Sequence, residues 1–174
     1  SQVGINNYAG IQGSPIAYWI SKKMLNAFQN YKTIGEIAPP KQGLATADNN
    51  SFLRLWFETD IRKIGFGIKS CEDSVLSKKK WFPYNKGGAF RRWYGNRDYV
   101  VNWENDGALI KNFKDENGKV RSRPQNLGYY FKPAITWSDI TSAAFSGRYC
   151  ETGFMFDIKG SSGFPSTDKL FYTL

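Results

Sequence analysis

Residues 81–106 read WFPYNKGGAFRRWYGNRDYVVNWEND, and this stretch decides how the rest of the chain is interpreted. Eight of its first 23 residues are aromatic, and four cations lie among them. Gly87-Gly88 and Gly95-Asn96 are turn formers, so they divide the stretch into short extended segments. We therefore expect residues 90–94 and 99–103 to form the two strands of a hairpin.

The aromatic residues of this stretch have two interpretations. Aromatic side chains bury large areas and dominate protein cores, so each one taken singly is best explained as core, with the cations as a solvated rim. Taken as a cluster, aromatics interleaved with cations are typical of surfaces that stack on bases and neutralise phosphates. Among these aromatics, Trp81 and Tyr94 are the ones that we expect to be exposed.

The charge of the chain favours a polyanionic partner. Its 174 residues carry a formal net charge of +9 and no histidine, so the charge hardly changes near neutral pH. Between Lys78 and Gln125 there are twelve Lys and Arg and five Asp and Glu, and most of the excess is therefore concentrated there. A basic domain of this size points first to nucleic acid, and the alternative is a face that only confers solubility.

Composition also limits the class of protein. A hydrophobic fraction of 41% in 174 residues suits one domain with a real core. Cys71 and Cys150 are too few for a disulfide-rich secreted scaffold, so we expect a reducing, cytoplasmic location. No run approaches the roughly 18 apolar residues of a membrane span. Because the chain opens at Ser1 and ends within an apolar run, we expect it to be part of a longer protein.

The rest of the chain predicts a few helices and several short strands. Ser14-Pro15 is a helix start, and apolar residues at helical spacing predict a helix to about Asn30 with its apolar stripe, which includes Met24 and Phe28, in the core. The other predicted elements are strands at 52–58, 134–140, 154–158 and 170–174, helices at 72–80 and 107–113, and a charged hairpin loop at 114–125 that turns at Asn117-Gly118.

These elements together predict an α+β fold, with mostly antiparallel short strands in a twisted sheet and a few helices. Residues 1–13 are rich in Gly, Asn and Gln and are expected to be a linker. Residues 14–174 are expected to form the one domain.

The familiar catalytic motifs do not fit this sequence. Without histidine, the usual serine and cysteine triads fail, and so do zinc sites of the usual Cys/His kinds. Gly65-Phe66-Gly67 lacks the strand–loop–helix setting of a glycine-rich cofactor loop and is expected to be a turn beside a strand. Ala38-Pro39-Pro40-Lys41 lacks the polar first residue and the aromatic last residue of the Asn/Asp-Pro-Pro-Tyr/Phe motif that methylates adenine.

A metal-dependent nuclease is one alternative. Asp139 followed by Asp157 and Lys159 has the acid…acid-x-Lys form in which carboxylates hold Mg²⁺. Three residues of such common types arise easily by chance over this span, and the alternative requires them to converge on a metal ion.

Residues 42–52, QGLATADNNSF, resemble the G-x-x-T-G-x-N-x-x-F element that opens target-recognition domains of adenine methyltransferases and Type I restriction specificity subunits. Ala47 stands where that pattern usually has glycine. If φ is positive at this position, we expect the alanine to be strained.

Longer runs resemble the adenine-specific DNA methyltransferases of BREX phage-defence systems. The most specific runs are residues 80–96 and 99–107, and the likeness continues through residues 14–19, 63–67, 122–126, 129–131, 135–140 and 145–149. It therefore covers nearly the whole chain from about residue 14.

This resemblance implies a fold like the DNA-methylase and Type I restriction specificity domain, and a role narrower than methyl transfer. In that family the S-adenosylmethionine site and the catalytic Asn-Pro-Pro-Tyr precede this segment, so we expect no cofactor here and S-adenosylmethionine in the catalytic domain of the parent chain. Whether this chain is itself an enzyme stays open. The implied role is non-catalytic DNA target recognition, while the catalytic domain flips and methylates the adenine. The implied partners are double-stranded DNA, that catalytic domain and other defence-system proteins, with no membrane.

Charge and loop position nominate the DNA contacts, because Arg, Lys, Asn and Gln suit phosphates and base edges in the major groove. The candidates are Lys78, Lys79, Lys80, Lys86, Arg91, Arg92, Arg97, Lys119, Arg121, Arg123 and Gln125, followed by Lys41, Gln42 and Asn49.

Two further alternatives come from other classes. A protein-interaction module would use the same fold to dock other defence-system proteins or a phage inhibitor, with the charge incidental. A carbohydrate-binding module is suggested by the tryptophan and tyrosine content, and the charge of +9 argues against it.

Overall fold

The computed structural model describes residues 20–140 and 144–167. The chain divides into two compact units, residues 1–37 and residues 38–174, which are treated separately below. The predicted linker at 1–13, the predicted helix start at Ser14-Pro15 and the predicted strand at 170–174 lie outside the described residues. The boundaries predicted for the domain therefore stay predictions.

In the described part of the first unit, residues 20–37, there are two helices, α1 (Lys22–Asn30) and α2 (Ile34–Ile37). Ser21 has extended backbone angles, and its Oγ accepts a hydrogen bond of 3.2 Å from the Met24 N–H, which caps α1. The prediction of one continuous helix from Ser14 to Asn30 is therefore wrong at Ser21, because α1 begins only after this extended cap residue. Its end at Asn30 is confirmed. No residue of α1 is buried, so its apolar stripe is not core.

The described residues of the second unit, 38–140 and 144–167, form two four-stranded sheets. The first has the order β1-β8-β5-β6, and all its neighbours are antiparallel. The second has the order β2-β4-β3-β7, in which only the β3–β7 pair is parallel. The strands are β1 (Pro40–Lys41), β2 (Leu53–Leu55), β3 (Trp81–Asn85), β4 (Tyr99–Asn102), β5 (Ala134–Thr136), β6 (Arg148–Cys150), β7 (Met155–Phe156) and β8 (Ser162–Gly163). The α+β prediction is confirmed, with two sheets rather than one.

Three short helices connect these strands. They are α3 (Asn49–Phe52), α4 (Cys71–Leu76) and α5 (Glu104–Lys111), and single 3₁₀ turns occur at Trp56–Glu58, Ile61–Lys63 and Leu127–Tyr129. The helices predicted at 72–80 and 107–113 correspond to α4 and α5. The predicted turn at Asn117-Gly118 is confirmed, because the Gly118 N–H donates to the Asp115 carbonyl and Gly118 has a φ of 78°.

The predicted hairpin of residues 90–94 with 99–103 is wrong. Residues 99–102 do form β4, but its neighbours are β2 and β3, with Phe82 opposite Val101. Residues 90–94 form no strand. The aromatic residues that precede Gly87-Gly88 form β3 (Trp81–Asn85), which pairs with β4. Thirteen residues separate these two strands. The predicted strands at 52–58, 134–140 and 154–158 are likewise shorter than expected, at two or three residues each.

The core lies between these elements and is rich in aromatic side chains. Phe82 and Phe131 are fully buried with ring centroids 5.7 Å apart, and Trp103 contacts Tyr130 edge to face at 5.5 Å. Gly107 has a φ of 70°, and a Cβ there would lie 2.5 Å from the Trp103 ring. Gly107 is the last of three residues with left-handed backbone angles inside α5, residues 105–107, and glycine is required there by both its φ and the adjacent ring.

Both cysteines are free, and burial raises the pKa of the Cys150 thiol to about 12. Along residues 20–140 and 144–167, none of the helices has the length and apolar character needed to cross a membrane.

Candidate nucleic-acid interface

The aromatic–basic loop, residues 86–98, joins β3 to β4 and is fixed to the first sheet at two points. The Gly88 N–H donates to the Ser138 Oγ at 3.1 Å, and that hydroxyl donates to the Gly88 carbonyl at 2.8 Å. Further along, the Trp93 N–H donates to the Gly147 carbonyl at 3.1 Å, and the Tyr149 N–H donates to the Trp93 carbonyl at 3.0 Å. The loop therefore holds a defined conformation without belonging to a strand.

Arg97 anchors the end of the loop. Its guanidinium forms an ion pair with Glu151 and donates to the Tyr149 carbonyl at 3.0 Å. It also lies 3.9 Å from the centroid of the Tyr94 ring and 5.0 Å from that of Phe154. Only 15% of the side chain is exposed. This predicted DNA contact therefore has partners within the protein already.

Arg91 and Arg92, by contrast, are exposed at the tip of the loop. Arg92 lies 5.6 Å from the Phe90 ring, and neither arginine has a carboxylate partner among residues 20–140 and 144–167. Between them and the anchor, Trp93 is 76% exposed and has a φ of 68°, which is rare and strained for a large side chain. Strain of this kind concentrates at functional sites, so the loop tip is the leading candidate interface.

A second group of predicted contacts meets where residues 42–49 pass residues 121–126. Ala45 and Arg123 exchange both backbone hydrogen bonds, at 3.1 and 2.8 Å. The Gln125 Nε2 approaches the Gly43 carbonyl at 3.4 Å, and the Asn49 Oδ1 accepts from the Thr46 hydroxyl at 2.7 Å. The exposed members of this group are Gln42, Asn49, Lys119, Arg121 and Arg123.

Ala47 lies within this second group and has a φ of 63°. The condition stated for this position, a positive φ where the related pattern usually has glycine, therefore holds. An L-residue in the left-handed region is destabilised by roughly 1–2 kcal/mol.

A third group, the lysines at 78–80, follows α4. Lys78 is exposed, whereas the Lys79 Nζ donates to the Arg62 carbonyl at 2.6 Å. Trp81, which was expected to be exposed, is only partly exposed, and Lys80 and Arg54 each lie 5.8 Å from the centroid of its ring. The expected exposure of Tyr94 is confirmed, at 65%.

The two remaining candidates lie over aromatic rings. Lys86 is 4.6 Å from the Tyr99 centroid, and Lys41 is 5.4 Å from that of Tyr129. The structure thus distributes the predicted contacts over three groups and these two lysines. In the described part of the chain, two pairs of exposed arginines have no carboxylate partner, Arg91 with Arg92 and Arg121 with Arg123, and the first pair lies beside the strained Trp93.

Of the residues of the nuclease alternative, Asp157 belongs to a buried polar network, whereas Asp139 and Lys159 form an exposed ion pair. Tyr84 Oη lies 2.9 Å from the Leu44 carbonyl and 2.8 Å from Asp157 Oδ2, while Asp157 Oδ1 accepts from the Lys159 N–H at 2.6 Å. Burial raises the pKa of Asp157. Lys159 Nζ lies 3.0 Å from Asp139. Within the described residues no three His, Cys, Asp or Glu side chains group so as to hold a metal ion, so the geometry does not favour this alternative.

The motifs resembling cofactor or catalytic loops have other roles. The Gly65 N–H donates to the Trp81 carbonyl at 2.8 Å, which makes Gly65 part of a turn beside β3, as expected. Pro40 lies in β1 opposite Gly163. These residues therefore do not fit an S-adenosylmethionine site or the Asn-Pro-Pro-Tyr motif.

Sequence reasoning missed Arg148. Its side chain is buried, its Nη1 approaches the Ser146 carbonyl at 3.3 Å, and its Nε and Nη2 have no hydrogen-bond partner. Burial lowers its pKa. No local pattern distinguishes this arginine, because its burial depends on pairing with Thr136 and on the bridge to Trp93.

Two known proteins are similar to nearly the whole chain. The adenine-specific methyltransferase PglX of Lacticaseibacillus casei (strain Zhang) is 47% identical over 163 residues, which are 92% of this chain and 13% of PglX. The adenine-specific methyltransferase BrxX of Escherichia coli O9:H4 (strain HS) is 36% identical over 167 residues, which are 95% of this chain and 12% of BrxX. The chain thus spans about an eighth of the length of these relatives. No protein-family model matches it. The resemblance to adenine-specific methyltransferases seen in the sequence is confirmed.

Proposed function

We propose that this chain is a non-catalytic DNA target-recognition element of an adenine-specific DNA methyltransferase from a BREX-type phage-defence system. The similarity to PglX and BrxX supports the methyltransferase context. The observation that carries the DNA contact is the pair of exposed arginines, Arg91 and Arg92, on a loop that the protein fixes at both ends.

The arginine pair suits DNA for two chemical reasons. A guanidinium binds a phosphate, or the O6 and N7 atoms of guanine, with two hydrogen bonds, and each good bidentate pair discriminates bases by about 1–3 kcal/mol. Because the loop is already ordered by Ser138, Gly147 and Arg97, binding loses little conformational entropy. The second group, around Arg121 and Arg123, would extend the contact along the phosphate backbone.

Methyl transfer is assigned elsewhere in the whole protein. Neither Gly65-Phe66-Gly67 nor Pro39-Pro40 has the setting of a cofactor or catalytic loop, so the S-adenosylmethionine site belongs in this proposal to another domain. That domain would also receive the flipped adenine. The partners of this chain are then duplex DNA and the catalytic domain of the same parent protein, and its fold is expected to be like that of Type I restriction specificity domains.

The test is binding of the 174-residue chain to a short duplex over a series of salt concentrations, for the wild type and Arg91→Ala/Arg92→Ala. Each phosphate contact adds about 0.9 to the slope of log K against log salt. The double variant is expected to bind about tenfold more weakly at low salt and to lower the slope by roughly 2.

A matched control is Lys22→Ala/Lys23→Ala, which removes the same charge from exposed lysines of α1. It should change the slope by much less than the loop variant. Equal losses in the two variants would mean that net charge alone drives binding and would contradict the proposed interface. Absence of binding at low salt, with salt-insensitive binding to another defence-system protein, would favour the protein-interaction module instead.

A further inference from the structure

A concave surface lies beside the aromatic–basic loop. This surface, the aromatic cleft, is lined by the rings of Trp56, Phe66, Tyr94, Tyr99 and Phe154, and has a volume of about 460 Å³. Pro83 of β3 and Val100 of β4 also line it. Its volume lies within the range of small-ligand sites, roughly 300–1,000 Å³.

The rings of the cleft are available for stacking. Phe66 is 58% exposed, and Tyr94 is 65% exposed although the Arg97 guanidinium lies 3.9 Å from its ring centroid. A cation against an aromatic ring fixes the ring in place and leaves its remaining surface to a planar ligand. Nucleobases are planar ligands that stack on aromatic side chains regardless of sequence.

Besides the rings, three polar residues line the cleft, Arg97, Glu151 and Thr152. The Arg97 side chain is only 15% exposed, and its guanidinium already binds Glu151 and the Tyr149 carbonyl, so the carboxylate is the charged group that is more accessible to a ligand. Glu151 pairs with Arg97 and still has 46% of its side chain exposed. A carboxylate oxygen accepts hydrogen bonds from the exocyclic amino group of a base such as cytosine. The cleft is therefore suited to a base that carries an amino group, and less suited to thymine, which presents a carbonyl there.

Free positive charge adjoins the cleft on the loop side. A Cβ at Gly95 would lie 3.0 Å from Cγ of Arg91, so the Arg91 side chain lies against Gly95, next to Tyr94. Arg91 and Arg92 have no carboxylate partner in the described parts of the chain. This charge complements the phosphates that flank a base, whereas an uncharged peptide would leave both arginines without a counter-ion.

From this arrangement we infer that the aromatic cleft binds one unpaired nucleobase bearing an exocyclic amino group, while Arg91 and Arg92 hold the adjoining phosphates. The inference rests on the proposed DNA-binding function and adds a specific ligand to it. The loop would then contact the duplex, and the cleft would select DNA in which a base has left the stack.

The test compares duplexes that differ only in one unpaired residue: fully paired, with a single bulged cytosine, and with a single bulged thymine. We expect the bulged-cytosine duplex to bind about tenfold more tightly than the paired duplex, and the bulged-thymine duplex to show a smaller preference. Phe66→Ala and Tyr94→Ala should each lower the ratio of bulged to paired affinity to near one. Tyr94→Phe keeps the ring and should keep the ratio.

The outcomes separate this inference from the proposed function. Salt-dependent binding with equal affinity for all three duplexes would overturn the cleft and leave the DNA-binding function intact. No binding to any duplex would overturn both. If a proline-rich peptide binds, loses affinity in Phe66→Ala and the duplexes show no bulge preference, the cleft is a peptide site and the inference is wrong.

Discussion

Strand β3 and the aromatic–basic loop follow each other in the chain, and both are rich in aromatic residues. They differ in the burial of these aromatic side chains. Phe82 and Tyr84 of β3 are fully buried, whereas Phe90 and Trp93 of the loop are 43% and 76% exposed. The strand is covered because β4 and β7 pair with its two edges and the core packs on it. The loop instead fixes its backbone through Ser138 and Gly147, which leaves the Phe90 and Trp93 rings exposed. Aromatic content alone therefore says nothing about burial.

The largest effect expected from this difference comes from two phenylalanines eight residues apart. Phe82→Ala removes a ring that packs against Phe131, and the loss of burial together with the resulting cavity should lower the free energy of unfolding by about 3–5 kcal/mol. Phe90→Ala removes a half-exposed ring and should change it by no more than about 0.5 kcal/mol. Urea denaturation of both variants measures the two values.

The two variants are controls for each other, because the chemical change is the same. Similar losses in both would show that the loop packs into the core in solution. The contrast between strand and loop would then be wrong. DNA binding of Phe90→Ala, measured on the same samples, separates a role at the interface from a role in stability.

The elements that local chemistry determines were predictable. The Asn117-Gly118 turn, the helix at Cys71–Leu76 and the strand at Tyr99–Asn102 follow from turn formers, capping and β-favouring residues. The partner of that strand was not predictable, because pairing with Trp81–Asn85 is decided across thirteen intervening residues. Pro83 in the middle of the partner strand also argued against a strand at this position, since proline donates no hydrogen bond to a neighbouring strand.

The candidate site was predictable as a region and not as a set of contacts. Arg91 and Arg97 are the same residue type in the same loop, and only the tertiary structure separates them. Glu151, which holds Arg97, lies 54 residues further along the chain. The exposed arginines without an ion-pair partner could be identified as candidate DNA contacts only after such long-range partners were located.

The buried end of β3 contains a buried polar network, and the aromatic–basic loop does not. This network allows a second test of the difference between the strand and the loop. Tyr84 Oη lies within hydrogen-bond distance of two acceptors, Leu44 O and Asp157 Oδ2, and it has one hydrogen. When Asp157 is ionised, the Tyr84 hydroxyl can donate to it, and the Leu44 carbonyl then keeps the Ile158 N–H, at 3.3 Å, as a donor. A protonated Asp157 can donate to Tyr84, which then donates to Leu44.

Burial raises the pKa of Asp157, and this sets the sign of the pH dependence. The contribution of a group with a raised folded pKa is complete below its unfolded pKa of about 3.9, and it is lost as pH rises through the folded pKa. Asp157→Asn cannot ionise, and its amide donates to Tyr84. The variant should therefore be more stable than the wild type at pH 7, by about 1 kcal/mol, with the difference shrinking towards pH 4.

Denaturation of the wild type and Asp157→Asn between pH 4 and pH 8 checks this expectation. Asp139→Asn is the matched control, because its carboxylate forms a largely exposed pair with Lys159 and should contribute less than about 1 kcal/mol. A stability difference between Asp157→Asn and the wild type that does not change with pH would contradict this expectation. It would show that the Asp157 carboxyl is ionised throughout the range and that its hydrogen bonds with Tyr84 form without a carboxyl proton.

The smallest expected effect concerns exposed segments. There, side chains contribute little to the free energy of unfolding, whereas the backbone conformation still contributes. Ala47 is exposed with a φ of 63°, so Ala47→Gly relieves roughly 1–2 kcal/mol of strain and adds about 0.5–1 kcal/mol of lost chain entropy. A net gain of about 0.5 kcal/mol is expected in urea denaturation. Ala108→Gly is the control, since Ala108 is exposed and begins the right-handed turn of α5 after Gly107, where glycine should be destabilising by about 0.5–1 kcal/mol. Opposite signs at two exposed alanines would show that backbone conformation, rather than side-chain burial, sets stability there, and a loss at both positions would contradict the strain assigned to Ala47.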